Sequence, residues 1–232
     1  MTAILTNLQA TRAAIVHSAI AAGRSAEDVQ LLAVSKTFSA EAVREAYRCG
    51  QIAFGENYLQ EALQKIAALR DLPLEWHFIG PIQSNKTRDI AENFAWVHAV
   101  DRLKIAQRLS AQRPVNLPSL NVCLQVNVSR EDSKSGVAPD EVAQLAEAVV
   151  KLPNLSLRGL MTIPAPVDNP VEQRKPFARM RLLLQQLNAL GLGLDTLSMG
   201  MSQDFPAAIL EGATIVRIGT AIFGIRNYGE DK

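Results

Sequence analysis

Short apolar runs and amphipathic stretches alternate along this chain from one end to the other, and that alternation restricts the fold more than any single motif. After a helical pattern over residues 2–22, runs with strand character fall at 31–35, 52–54, 76–79, 96–99, 120–128, 156–161, 196–199 and 214–218. Helical patterns sit between them at 40–48, 58–69, 86–93, 102–111, 141–151, 176–190 and 205–211. Strands that alternate with helices build βαβ units and a parallel sheet. Eight strands favour closure into a barrel over an open doubly wound sheet. No G-x-G-x-x-G follows the first strand, as a dinucleotide-binding sheet would require. The expectation is an α/β fold, a single (β/α)8 TIM barrel over residues 1–232 with an extra N-terminal helix. Pro164, Pro166 and Pro170 mark a long loop after the sixth strand.

Composition narrows the function classes. Hydrophobic residues at 48% supply a sizeable core, and a net charge of +1 gives no electrostatic reason to expect nucleic acid or an anionic membrane. No run approaches the roughly 18–20 apolar residues of a membrane span. The first helix carries Arg12 and His17 in an amphipathic pattern, unlike a secretory signal. Two cysteines, Cys49 and Cys123, make neither a disulfide framework nor a zinc site, and Cys123 reads as a small core residue. Asn127-Val128-Ser129 matches a glycosylation triplet, but nothing else points to secretion. A reducing cytoplasm is the expected location.

In such a barrel chemistry sits on the loops that follow the strands. The first strand delivers Lys36 after Leu32 and Val34 on the same alternating face. An amine placed there attacks carbonyls to form a Schiff base, whereas the alternative is a lysine snorkelling into water. The second strand runs into Glu56 and Asn57, the third through His77. His77 reads first as a satisfied core histidine, because His17 and His98 are too distant in sequence to complete a zinc site with it. The seventh strand leads to Gly200 and Ser202, the eighth to Gly219 and Thr220. Loops of this kind hold phosphate in barrels, although the glycines could serve tight turns alone. Arg217, between Val216 and Ile218, is expensive to bury unless something accepts its hydrogen bonds. A neutral ring nitrogen of a ligand or a carboxylate such as Glu56 would do so.

These segments together resemble the pyridoxal phosphate homeostasis protein family. The resemblance is carried by LLAVSK at 31–36, FGENYLQE at 54–61, WHFIGPIQSNK at 76–86, SKSG at 133–136, RGLM at 158–161, LSMGMSQD at 197–204 and VRIGTAIFG at 216–224. It implies a barrel like the N-terminal domain of alanine racemase, with pyridoxal 5′-phosphate bound as a Schiff base on Lys36. It further implies that Ser202, Gly219 and Thr220 hold the phosphate, that Arg217 faces the pyridine nitrogen, and that Asn57 lies beside the ring. His77 and Met161 are weaker candidates for the pocket.

Alanine racemases add a second, β-rich domain whose tyrosine is the opposite-face base, and no second domain is expected here. In proton abstraction a missing base costs roughly 10²- to 10⁴-fold. The family therefore implies a monomeric binding protein in vitamin B6 homeostasis, without catalytic residues or metal. It would buffer the cofactor or deliver it to apo-forms of dependent enzymes, with effects on amino-acid metabolism. A racemase-type enzyme is the alternative, and an imine-forming aldolase without cofactor a third reading.

Overall fold

In the computed structural model, which describes residues 2–131 and 135–225, eight parallel strands close into a barrel in sequence order. They are β1 (Gln30–Val34), β2 (Ala53–Glu56), β3 (Glu75–Phe78), β4 (Trp96–Val100), β5 (Leu120–Gln125), β6 (Leu155–Met161), β7 (Thr196–Ser198) and β8 (Ile215–Ile218). The seam is the pairing of the first strand with the last, in which Leu32 lies opposite Arg217 and Ala33 opposite Ile218. Helix α1 (Ala3–Ala21) precedes β1; α2 (Ala40–Arg48), α3 (Leu59–Ala68), α4 (Thr87–Asn93), α5 (Leu103–Gln112), α6 (Val142–Val149), α7 (Pro170–Ala189) and α8 (Phe205–Leu210) join the strands, and a single turn, α9 (Thr220–Phe223), follows β8. The expected single barrel with its extra N-terminal helix is what the chain forms.

Alternation along each strand sends neighbouring side chains to opposite faces. Phe54, Val97, Val122, Leu197 and Val216 are all at most 2% exposed and form part of the one continuous apolar core. The helix α1 braces the seam: Asn7 donates to the Ile222 carbonyl (3.0 Å), Arg12 to Cys49 (2.9 Å), and Arg24, just beyond the helix, to Ala213 (2.8 Å). The N-terminal helix is thus tied to both ends of the barrel sequence.

Three elements differ from the sequence reading. The fifth strand ends at Gln125, after which Val126 bridges to Val137 instead of extending the ladder. The helix expected from residue 176 begins at Pro170, so the proline loop is only 162–169. Pro176 has no N–H and normally opens or breaks a helix. Here Asn169 caps the amides of Val171 and Glu172, Pro170 occupies the first turn where no N–H is needed, and Arg174 pairs with Glu211 at 2.6 Å. Capping and this ion pair carry the helix past its interior proline. The third difference is α9, read as loop because Gly219 and Gly224 bracket a segment of one turn.

No helix among the described residues is long and apolar enough to cross a membrane.

Candidate functional site

Lys36 directly follows Ser35 at the C-terminal end of β1, half-buried in a turn. That turn is strained and clamped. Thr37 sits at φ +69°, a left-handed conformation that a β-branched residue rarely adopts, and its N–H donates to Glu61 Oε1 at 2.6 Å. Ser35 donates its hydroxyl to Glu56 Oε1 (2.6 Å), and its carbonyl accepts from Lys65 Nζ (2.7 Å). Lys65 reaches in from α3, only 5% exposed, and also pairs with Glu56 (2.8 Å) and Glu61 (2.5 Å). Burial raises the Glu56 carboxyl above its ordinary range, while Lys65 and Ser35 pull it back. Sequence reading missed Lys65; its only local signal was the four-residue spacing from Glu61, which usually marks a surface pair.

The exit of β8 presses against that turn. A Cβ on Gly219 would lie 2.9 Å from the Val34 carbonyl oxygen, so glycine is required by close approach. Phe223 of α9 stacks on Phe38, two residues past Lys36, with ring centroids 5.0 Å apart. Gly219 caps α9, and the first amides of any helix have no acceptor inside it, so Thr220 presents its N–H beside its hydroxyl. Across from it Gly200 turns the chain after β7 at φ +94°, and its carbonyl accepts the Arg217 N–H at 2.9 Å. Ser202 is half-buried in this turn, whose Met201 amide is held by Asp204 at 2.6 Å. The two small-residue loops are therefore neighbours at one end of the barrel.

Arg217 is 4% exposed, with a guanidinium held by Ser198 Oγ (2.8 Å) and the Thr162 carbonyl (2.9 Å). Glu56, offered above as a partner, is instead committed to Lys65 and Ser35. Burial brings the Arg217 pKa down to about 10 against the opposing pull of Asp204, which leaves it a cation at neutral pH. Two of its N–H groups are used within the described protein and the others are not. Met161, fully buried at the end of β6, lies opposite Ser198 in register and shares its face.

Asn57 follows β2, and its buried Oδ1 has no hydrogen-bond partner. It lines a cavity of about 260 Å³ with Ile79, Gln125, Asn127 and Ile163, all at strand C-terminal ends. A side chain at Gly80 would collide with the Asn57 carbonyl, so the loops after β2 and β3 are packed backbone to backbone here. A larger cavity, about 520 Å³, opens at the opposite end between Arg12, Gln30, Gln51 and Glu75. Barrel chemistry belongs to the strand C-terminal end; the smaller cavity opens at that end, as do the Lys36 turn and Arg217, although neither residue lines it.

His77 lies deeper than the pocket expected for it. It is fully buried, stacked on Trp96 (centroids 5.4 Å), with Nδ1 at 2.9 Å from His98 Nε2 and Nε2 at 2.8 Å from Glu75. With both ring nitrogens engaged inside the barrel, it has none left for a ligand at the mouth. His98, dismissed above as remote, is its immediate partner, because neighbouring strands bring together residues distant in sequence. Of the SKSG segment, Ser133 and Lys134 lie outside the described residues.

An amine, a cationic donor, an amide with unspent hydrogen-bonding capacity and two small-residue loops all lie at this end of the barrel. Such a set suits a phosphorylated aldehyde with a ring nitrogen, so these residues fit pyridoxal phosphate. The chain matches the alanine racemase N-terminal domain family over residues 10–227. It is 66% identical over 229 residues to the pyridoxal phosphate homeostasis protein of Pseudomonas aeruginosa, with 99% of this chain and 98% of that protein covered. PipY of Synechococcus elongatus, solved with PLP bound, superposes with a TM-score of 0.82 at 39% identity, over 95% of this chain and all of PipY. Alanine racemase of Corynebacterium glutamicum shares the fold at TM-score 0.67 and 21% identity, with 99% of this chain and 63% of the racemase covered. By sequence over nearly its whole length, and by a closed barrel that superposes on that of PipY, the chain belongs to the pyridoxal phosphate homeostasis protein family.

Proposed function

We propose that this chain binds pyridoxal 5′-phosphate at the barrel mouth and serves the homeostasis of that cofactor. In this reading Lys36 would hold it covalently, the cofactor supplying an aldehyde that an amine can take up with loss of one water. Gly219, Thr220 and Ser202 would receive the phosphate, Arg217 would donate to the ring nitrogen, and Asn57 and Met161 would flank the ring. The single observation that carries the reading is the buried Arg217 cation with donors to spare, on the strand paired with the one that leads into the Lys36 turn. A guanidinium has no acceptor, so it leaves a ring nitrogen unprotonated and weakens the bound cofactor as an electron sink. That suits storage and release better than carbanion chemistry.

The protein buffers the free aldehyde and hands it to apo-forms of dependent enzymes, acting as a monomer without robust turnover. Racemization would need a second acid or base opposite Lys36, and the engagement of both His77 nitrogens inside the barrel supports the non-catalytic reading. Free Cys49 and Cys123 are compatible with a cytoplasmic location.

Visible spectra before and after borohydride, with peptide mass mapping, test this. A band that borohydride abolishes, leaving a pyridoxyl group on Lys36, is expected, and Lys36→Ala should lose both. An absence of band and adduct in the wild-type protein would overturn the reading.

A further inference from the structure

Barrel interiors are usually filled by layers of branched apolar side chains. This interior is threaded by hydrogen bonds in series: Arg217 Nη1 to Ser198 Oγ (2.8 Å), Ser198 Oγ to His98 Nδ1 (2.7 Å), His98 Nε2 to His77 Nδ1 (2.9 Å), and His77 Nε2 to Glu75 Oε1 (2.8 Å). The strands β4 and β7 are not neighbours in the sheet, so the contact between His98 and Ser198 crosses the lumen. The chain starts at Glu75, the first residue of β3 and 39% exposed on the 520 Å³ cavity, and ends at the mouth.

The direction of every bond follows from its ends. The Glu75 carboxyl is held below its ordinary range by the hydrogen bond from His77, so it only accepts. His77 Nε2 must then carry a proton. Burial pushes His77 towards the neutral form, so its Nδ1 accepts and the proton between the rings belongs to His98 Nε2. Burial, His77 and Arg217 together push His98 further the same way, so its Nδ1 accepts in turn. Ser198 therefore spends its one hydroxyl proton on His98 and turns its lone pairs to Arg217. Of the ionisable groups around the chain, Asp204 and Cys123 act electrostatically on Arg217, and Arg158 acts with Glu75. Cys123, pushed up to about 12 by burial, stays a thiol.

We propose that Ser198, His98, His77 and Glu75 are positioning residues for the cofactor, a one-way hydrogen-bond chain that aims the Arg217 guanidinium at the ring nitrogen and withholds the Ser198 proton from it. This rests on the pyridoxal phosphate reading above. It assigns His77 an indirect part in binding and brings in Glu75, His98 and Ser198, of which only Ser198 lies within one of the quoted motifs. It also connects the ring environment to a carboxylate on the far face of the barrel.

Two measurements test it. ¹⁵N NMR of the histidine-labelled protein should show His77 and His98 as neutral Nε2–H tautomers; an imidazolium or an Nδ1–H tautomer at either overturns the direction of the chain. The second compares the reconstituted wild type with Ser198→Ala, His98→Phe, Glu75→Gln and, as a core control off the chain, Cys123→Ala. Borohydride should still place the pyridoxyl group on Lys36 in all of them. In Ser198→Ala and His98→Phe the pH midpoint of the visible band should move by about 0.5–1 unit and cofactor loss should quicken about 3- to 10-fold. Glu75→Gln keeps an acceptor for His77 and should restore most of the wild-type midpoint. Unchanged midpoints in Ser198→Ala and His98→Phe, or an equal shift in Cys123→Ala, would overturn the proposal with the Lys36 adduct intact. An absent wild-type adduct is a different result, which removes the cofactor reading itself.

Discussion

Two buried polar networks flank the barrel mouth, and they are built on opposite principles. The clamp around the Lys36 turn packs three full charges together, Lys65 against Glu56 and Glu61, with Glu56 Oε2 left unpaired. The chain behind Arg217 keeps its charges at the two ends, separated by neutral imidazoles and a hydroxyl. A compact ion cluster is rigid but intolerant, because removing one member strands a buried charge. A neutral chain tolerates loss of a link better, because each member forfeits only a hydrogen bond. The turn that carries Lys36 is thereby fixed by electrostatics, while the Arg217 guanidinium is fixed by orientation.

The largest effect should come from Lys65→Met, which leaves Glu56 buried without its cation. Urea denaturation near neutral pH should show a loss of about 3–5 kcal/mol. Its pH dependence sharpens the contrast. Burial holds the folded Glu56 pKa above its ordinary value, so the protonated carboxyl is the form that folding favours, and this contribution is lost as pH rises through the raised folded value. The Lys65→Met deficit should therefore be full near neutrality and shrink as pH falls into the carboxylate range. His98→Phe breaks the neutral chain in its middle and should cost about 1–3 kcal/mol in the same assay. A cost equal to that of Lys65→Met would erase the distinction between the networks. Glu75→Gln keeps an acceptor at the half-exposed end and should cost less than about 1 kcal/mol. A larger loss there would mean that the carboxylate charge holds the chain together.

Much of the architecture was legible in the sequence, since the strands follow from apolar runs whose spacing survives folding. The positions of Lys36, Ser202, Arg217 and Gly219 at the ends of strands followed from the same pattern. What stayed hidden was pairing across the barrel. Nothing in the local sequence says that His98 meets His77 on one side and Ser198 on the other, a contact made across the lumen by residues a hundred positions apart. Lys65 carries no mark of its burial in the sequence either, because that depends on where α3 docks. Pro176 misled for a comparable reason: the cap at Asn169 and the ion pair to Glu211 lie outside the local pattern that a proline interrupts.

The seam between β1 and β8 has a consequence for the chain as it is made. Lys36 leaves the ribosome early, whereas Arg217 and Gly219 follow it roughly 180 residues later. At roughly 5–20 residues per second the lysine waits on the order of ten seconds or more for them. Until the last strand docks beside the first, the growing polypeptide carries an ordinary amine with no anion cradle beside it. In the proposed reading, competence to capture a reactive aldehyde therefore arrives only when β8 docks, and a copy in which β8 has not docked would compete poorly for the cofactor.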